Sequence, residues 1–129
     1  TTDQTMESLK MQNIYQRVLE EFVYPIWVWY WDLAGNEWNT LNSENFIAKY
    51  DTLNQGSLDL HHDSSLITLN VRLNDDFEGG GTYLPKYKIT VQPKKAGNAM
   101  CHPGKITHLH GGRPVEKGTR YILVTFTSN

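Results

Sequence analysis

The sequence predicts a mainly β domain of sandwich or jelly-roll type, with helices lying outside it at the N-terminal end. Three observations lead there. From residue 61 onward, short apolar and β-branched runs alternate with glycine-rich punctuation. The first part of the chain instead repeats its apolar residues near helical spacing. Between the two, residues 66–74 alternate strictly: Ile67, Leu69, Val71 and Leu73 share one face, and Thr68, Asn70, Arg72 and Asn74 the other.

Taken in order, MESLKMQNIYQRVLEEFVYPIW reads as a helix covering a sheet through Leu9, Ile14, Val18, Leu19 and Phe22, with Pro25 as its break. WVWYWDLAGNEW, residues 27–38, alternates Trp27, Trp29 and Trp31 as one face of a strand would. It is read as a packed face, or as an aromatic wall for a ligand or a dimer contact. FIAKY (46–50) reads as a short strand. LITLNVRLN (66–74), YKITVQP (87–93), KITHLH (105–110) and RYILVTF (120–126) also read as strands. GGG (79–81), AGN (96–98), HPG (102–104) and GGRP (111–114) read as turns. A chain of 129 residues is long enough for one core. The expected division is a helical support over about 1–45 and a β core over about 46–129.

Composition removes several function classes. Lys and Arg number 12 against 14 Asp and Glu, a net charge of -2, which lacks the basic excess of a general nucleic-acid binder. Cys101 is the only cysteine, so neither an internal disulfide nor a thiolate zinc site can form. The longest apolar run, around Phe22–Trp31, is too short and too aromatic for a membrane span. No signal-like N-terminus is visible.

The chemistry concentrates in HHDSSLITLN, residues 61–70. On an extended segment, His61 and Asp63 point the same way. A third ligand from CHPGKITHLHGG, that is His102, His108 or His110, would complete a facial triad of two histidines and one carboxylate. Such a triad leaves coordination positions open and suits non-haem Fe(II) oxygenases. Arg120, ten residues beyond His110, begins an apolar strand and shares a face with Ile122 and Val124. A guanidinium in an apolar cavity wants a carboxylate, which it binds in a bidentate pair; the far carboxylate of 2-oxoglutarate fits. The polar face of 66–74 would be costly in an apolar core. It suits either solvent or a cavity that holds a polar cofactor.

FIAKY (46–50), SLDLHHDSSLITLNVRLN (57–74), FEGGGTYLPKY (77–87) and MCHPGKITHLHGGRPVEKGTRYILVTF (100–126) resemble the Fe(II)/2-oxoglutarate dioxygenase domain of the procollagen-lysine 5-dioxygenases, the collagen lysyl hydroxylases. TTDQTM and FVYPIW resemble that domain's opening, so the similarity covers nearly the whole chain. The resemblance implies a double-stranded β-helix (jelly roll) with N-terminal helices on its outside. It implies His61, Asp63 and His110 as iron ligands and Arg120 as the anchor of 2-oxoglutarate. Tyr50, Thr68 and Asn70 occupy places that touch the co-substrate in related prolyl hydroxylases, and the polar face of 66–74 then turns to the cavity.

The implied activity is hydroxylation of peptidyl lysine at C5 in collagen-like X-Lys-Gly sequences, with Fe(II), 2-oxoglutarate and ascorbate, in a homodimer. Alternatives are a 2-oxoglutarate hydroxylase of peptidyl proline or of a small molecule, and a non-catalytic metal-binding dimerisation module. His62 is expected to point away, His102 to sit in a turn, and His108 to be the rival third ligand; a second metal site built from the spare histidines is a further option. Asp75, Asp76 and Glu78 are candidates for contact with a lysine substrate, and solvated loop charges otherwise. The shorter loop LNDDFEGGG and the single cysteine depart from the animal members and fit a divergent, virus-encoded type. The compartment would be the endoplasmic reticulum lumen for an animal-like member, and host cytoplasm or virion for a viral one.

Overall fold

The computed structural model describes residues 3–32, 41–105 and 107–128. The chain opens with a two-residue strand, β1 (Gln4–Thr5), followed by a continuous helical run. That run consists of α1 (Gln12–Val18), a π-helical turn (Leu19–Val23) and α2 (Tyr24–Trp31). Pro25 does not break it. Proline lacks an N–H and crowds the carbonyl four residues back, but in the first turn of a helix neither matters. The wide π turn just upstream lets α2 start afresh with Pro25 in that first turn. Asp32, left-handed at φ 49°, ends it.

Two antiparallel sheets follow. The larger has the order β1–β2–β10–β4–β8, from β2 (Asn42–Asp51), β4 (Ile67–Arg72), β8 (Ala99–Pro103) and β10 (Val115–Ser128). The near end of β10 also pairs with β5 (Phe77–Gly79). The smaller sheet has the order β3–β9–β6–β7, from β3 (Leu58–His61), β6 (Thr82–Leu84), β7 (Ile89–Val91) and β9 (His110–Gly112). This is the jelly roll that the sequence predicts, with its helices on the outer face of the larger sheet.

Alternation gives that sheet two different faces. Ile67 and Leu69 of β4 and Leu123 of β10 turn outward and pack with Tyr15, Leu19, Tyr24, Trp27 and Met6 under the helices. The buried Tyr15 hydroxyl is 2.8 Å from Thr125 Oγ1, tying α1 to β10. The opposite face carries Ala48, Tyr50, Ile122 and Val124, with Phe46 and Phe126 beside them, toward the smaller sheet. Thr68, Asn70 and Arg120 lie on this inner side and are buried.

Several local expectations are overturned. Trp27, Trp29 and Trp31 lie on a helix, not a strand: Trp27 is buried, Trp31 half-buried and Trp29 81% exposed. Trp27, Tyr30 and Trp31 line an apolar cleft with Tyr87, Ile89 and His108; residues 33–38 of the same stretch lie outside the described residues. Of the expected apolar stripe, the helix buries only Leu19. Tyr15, Leu19, Tyr24 and Trp27 are inside, whereas Ile14, Val18 and Phe22 are exposed and Leu9 is largely so. Their period matched a helix, but a period gives no sign of which stripe the sheet will cover. FIAKY belongs to the ten-residue β2. Thr107, His108 and Leu109 are not strand; the chain turns there and pairing starts at His110. His102 and Pro103 end β8 rather than forming a turn, and Gly111–Gly112 belong to β9.

The buried face decides the expected response to truncation. Leu19→Ala should cost about 3–5 kcal/mol, since Leu19 is 0% exposed. Ile14→Ser, on the exposed stripe, should stay within about 0.5 kcal/mol of wild type. Urea unfolding of the two variants checks this, and the reverse order would show that the helix packs by its other face.

Candidate active site

Strand pairing assembles the site. His61 at the end of β3 is directly opposite His110 at the start of β9, so a gap of 49 residues closes to a single cross-strand pair. The two rings lie 4.5 Å apart between centroids. Asp63 follows His61 just beyond the strand and is buried between them. His61 Nε2 is 3.2 Å from Asp63 Oδ1, and His110 Nε2 is 3.3 Å from Asp63 Oδ2.

The orientation of both rings is fixed from behind. His61 Nδ1 lies 2.7 Å from the Asp59 carbonyl oxygen, and His110 Nδ1 lies 2.8 Å from that of His108. A carbonyl oxygen only accepts, so each Nδ1 carries the hydrogen and each Nε2 lone pair faces the carboxylate. Two acceptors aimed at one carboxylate are satisfied only by a proton or a cation placed between them. One metal ion answers both rings together. Around an octahedral ion with bonds of about 2.1 Å, neighbouring donors stand about 3.0 Å apart, close to the spacing seen here. The donor set of two imidazoles and one carboxylate, with ligand atoms mutually within 4.8 Å, therefore fits a facial-triad metal.

The shell behind the carboxylate is equally specified. Thr68 Oγ1 donates to Asp63 Oδ2 at 2.7 Å and is itself 2.6 Å from Ser65 Oγ. Burial pushes the Asp63 carboxyl upward. The contact with His110, the hydrogen bond from Thr68 and the nearby imidazoles outweigh burial and hold it below the ordinary aspartate value. Burial in turn pushes the His110 imidazole down, but the Asp63 and His108 contacts outweigh that and raise it. Thr68 thus acts on the ligand carboxylate, a role that no strand pattern reveals.

Arg120 lies on β10 in the same cavity, which is also lined by Tyr50, Asn70, Thr82, Ile122 and Val124. It is buried, and none of the salt bridges among the described residues involves it. Its guanidinium carbon is 5.5 Å from the Tyr50 ring centroid. Burial pulls the guanidinium below the usual arginine value. A buried cation held this way is a ready receptor for an anion. The glycine run gives it room: Gly80 has φ 76°, and a Cβ there would stand 2.9 Å from Arg120 Cδ.

The other singled-out residues divide cleanly. His62 is exposed and lines a surface depression with Lys105, which Asp63 also borders. His108 lies outside the triad; its Nδ1 is 2.8 Å from Thr107 Oγ1, and its carbonyl orients His110. His102 is buried on β8, with its ring 4.5 Å from that of His110 and its Nε2 without a hydrogen-bond partner among the described residues. Asp75 pairs with Arg72 at 2.9 Å and Glu78 with Lys117 at 3.7 Å; neither they nor Asp76 line the cavity. Ser65 and Asp3, which no motif indicated, do belong to the site's surroundings.

No family model matches the chain. The human procollagen-lysine,2-oxoglutarate 5-dioxygenase 2 is 37% identical over 129 residues, covering 98% of the chain and 17% of that protein. The chain belongs to the procollagen-lysine 5-dioxygenase family. The Drosophila melanogaster procollagen-lysine,2-oxoglutarate 5-dioxygenase is 35% identical over 130 residues, 98% of the chain and 18% of that protein. This family member thus spans about a sixth of the length of the curated relatives it matches, and is divergent from them. Among solved structures, the viral collagen prolyl hydroxylase of Paramecium bursaria Chlorella virus-1 superposes with TM-score 0.55 at 26% identity over 69% of the chain and 57% of its own. Its 2-oxoglutarate complex gives TM-score 0.60 at 20% identity over 97% and 77%, a likeness of fold.

Two substitutions probe the supporting shell of this family member. Thr68→Val keeps the side-chain volume but removes the hydrogen bond to Asp63, so Co(II) or Fe(II) affinity should fall about 10- to 100-fold in a metal titration. Gly80→Ala forces a side chain against Arg120 from a left-handed backbone, so it should destabilise the fold by about 1–3 kcal/mol in urea unfolding.

Proposed function

We propose that the chain is a single catalytic domain, residues 1–129, that hydroxylates peptidyl lysine at C5 using Fe(II) and 2-oxoglutarate. The observation that carries this reading is the pairing, in one cavity, of a convergent His61–Asp63–His110 donor set with a buried Arg120. The relatives supply the substrate class: their names specify procollagen lysine and 2-oxoglutarate.

Fe(II) would be held by His61, Asp63 and His110. Bound there with 2-oxoglutarate and dioxygen, it supplies the oxidation that places one oxygen atom on the substrate and the other in succinate, with release of carbon dioxide. The chain's own residues do the rest. Arg120 receives the far carboxylate of 2-oxoglutarate in a bidentate pair. Tyr50 covers the guanidinium, and Asn70 offers an amide to the co-substrate from the same wall. Thr68 keeps Asp63 ionised and correctly turned. Phe46, Ile122, Val124 and Phe126 line the cavity with apolar surface, which excludes water from the reacting centre. Ascorbate would serve to keep the iron reduced. Collagen-like chains are the partner substrate, and the protein would act as a homodimer.

The test is incubation with Fe(II), 2-oxoglutarate, ascorbate and a Gly-X-Lys repeat peptide, followed by mass spectrometry. A one-oxygen gain on lysine, with stoichiometric succinate, is expected. Asp63→Ala should abolish both, and Arg120→Ala should raise the KM for 2-oxoglutarate about 100-fold or more, the loss of a buried bidentate pair. Oxygen found on proline in place of lysine would keep the chemistry and replace the substrate. Iron binding without succinate formation would leave a non-catalytic metal-binding module.

A further inference from the structure

The hydroxyl that holds Asp63 is itself held. We propose that Ser65 is a positioning residue for the metal: by donating to Thr68 it fixes the Thr68 hydrogen on Asp63 Oδ2 and leaves Oδ1 as the oxygen offered to the ion. This rests on the reading of His61, Asp63 and His110 as the metal donors.

The direction of the chain follows from a count of hydrogens. An ionised carboxylate only accepts, and a hydroxyl has a single hydrogen to give. Thr68 Oγ1 donates to Asp63 Oδ2 at 2.7 Å, so Thr68 has no hydrogen left. The 2.6 Å contact between Ser65 Oγ and Thr68 Oγ1 must then be donated by Ser65. Ser65 is 0% and Thr68 1% exposed, so bulk water competes for neither hydroxyl. A hydroxyl that accepts a hydrogen bond becomes a better donor, and Ser65 thereby strengthens the bond that Asp63 receives.

The two oxygens of Asp63 are made unequal by this relay. Oδ2 carries the Thr68 hydrogen bond. Oδ1 faces His61 Nε2 at 3.2 Å, and the hydrogen of that ring is on Nδ1, turned to the Asp59 carbonyl. Oδ1 therefore keeps its lone pairs free for a cation. A carboxylate bound through one oxygen takes a single coordination position, whereas a chelating one takes a second. Beside two imidazoles, the first arrangement leaves room for a chelating co-substrate together with dioxygen, and the second does not.

Ser65 is locked in turn by the glycine of the HPG motif. Gly104 lies just beyond β8 and is buried. Its carbonyl accepts the Asp63 N–H at 3.0 Å, and its own N–H donates to the Leu66 carbonyl at 3.1 Å. These two bonds bracket the segment from Asp63 to Leu66, so the ligand and its hydroxyl support sit on one clamped turn. A Cβ on Gly104 would run into Ser65 Oγ and stand 2.6 Å from the Ser65 carbonyl oxygen. The missing side chain is what gives the Ser65 hydroxyl its place against Thr68.

The test is a Co(II) titration of the full chain, followed by visible absorption and repeated for a set of variants. Ser65→Ala should weaken Co(II) binding about three- to tenfold, the effect of one buried hydrogen bond. Thr68→Ser keeps a hydroxyl that can both accept and donate, and should bind within about twofold of wild type. Ser65→Ala combined with Thr68→Val should match Thr68→Val alone within about twofold, because Ser65 acts only through Thr68. Gly104→Ala displaces the Ser65 hydroxyl instead of deleting it, and should weaken binding at least as much as Ser65→Ala.

Unchanged Co(II) affinity in Ser65→Ala overturns the assignment. So does a double variant whose loss is the product of the two single losses, which would mean a merely structural serine. Melting temperatures of the metal-free proteins monitor the fold. Wild-type protein that binds no Co(II) overturns the reading of the triad as metal donors, and this assignment with it. Wild-type protein that binds Co(II) while Ser65→Ala matches it removes Ser65 alone.

Discussion

The site depends on one buried carboxylate on which three side chains converge. Asp63 faces two imidazoles whose other nitrogens are already tied to backbone carbonyls, and Thr68 donates to it from β4. Removing any of these contacts leaves a buried acceptor unmet or an imidazole free to turn. The backbone geometry around it is correspondingly constrained: β3 and β9 must pair in the register that sets His61 against His110. β4 must place Thr68 inward, which forces Ile67 and Leu69 outward, and these two then need the helices as cover. The outer helical layer is thus a consequence of the inner polar face.

Sequence order and spatial order are related unevenly in this chain. Ligand candidates were legible because the alternation of an extended segment is a rigid rule: His61 and Asp63 must share a side, and His62 must not. Arg120 was legible because a cation among Ile122 and Val124 has no comfortable place except against a bound anion. The strands of the core were legible in existence, with bounds displaced where pairing rather than propensity decides. β10 runs from Val115, beyond the strand-like RYILVTF, because β5 offers it a partner there.

The helical layer was legible as a helix and misread as a surface. Ile14, Val18, Leu19 and Phe22 were read as one buried stripe, yet the sheet covers only Leu19 of them, with Tyr15 and Tyr24 beside it. Trp27 and Trp31, four residues apart, satisfy a helical period as well as a strand's, and local sequence does not separate the two. What the motifs could not reveal was any group delivered by a distant short element. Asp3 reaches the cavity through a two-residue strand whose pairing with β2 no pattern announces. His102 meets His110 across the two sheets, and Ser65 reaches Thr68 from the turn just before β4.

The placement of β10 bears on how the molecule comes to be folded. This strand lies at the middle of the larger sheet, holding β2 on one side and β4 on the other, and it lies nearest the C-terminal end of the described chain. A polypeptide emerging from the ribosome would carry β2, β4 and both triad segments for some time before the strand that joins them exists. During that interval β2 and β4 have open edges, and the inner polar wall has no Arg120. Assembly is then governed by late, long-range pairing, which favours slow folding and exposes unpaired edges to other chains. The same arrangement means that an incomplete chain can bring His61, Asp63 and His110 together only without the buried cation of Arg120 beside them.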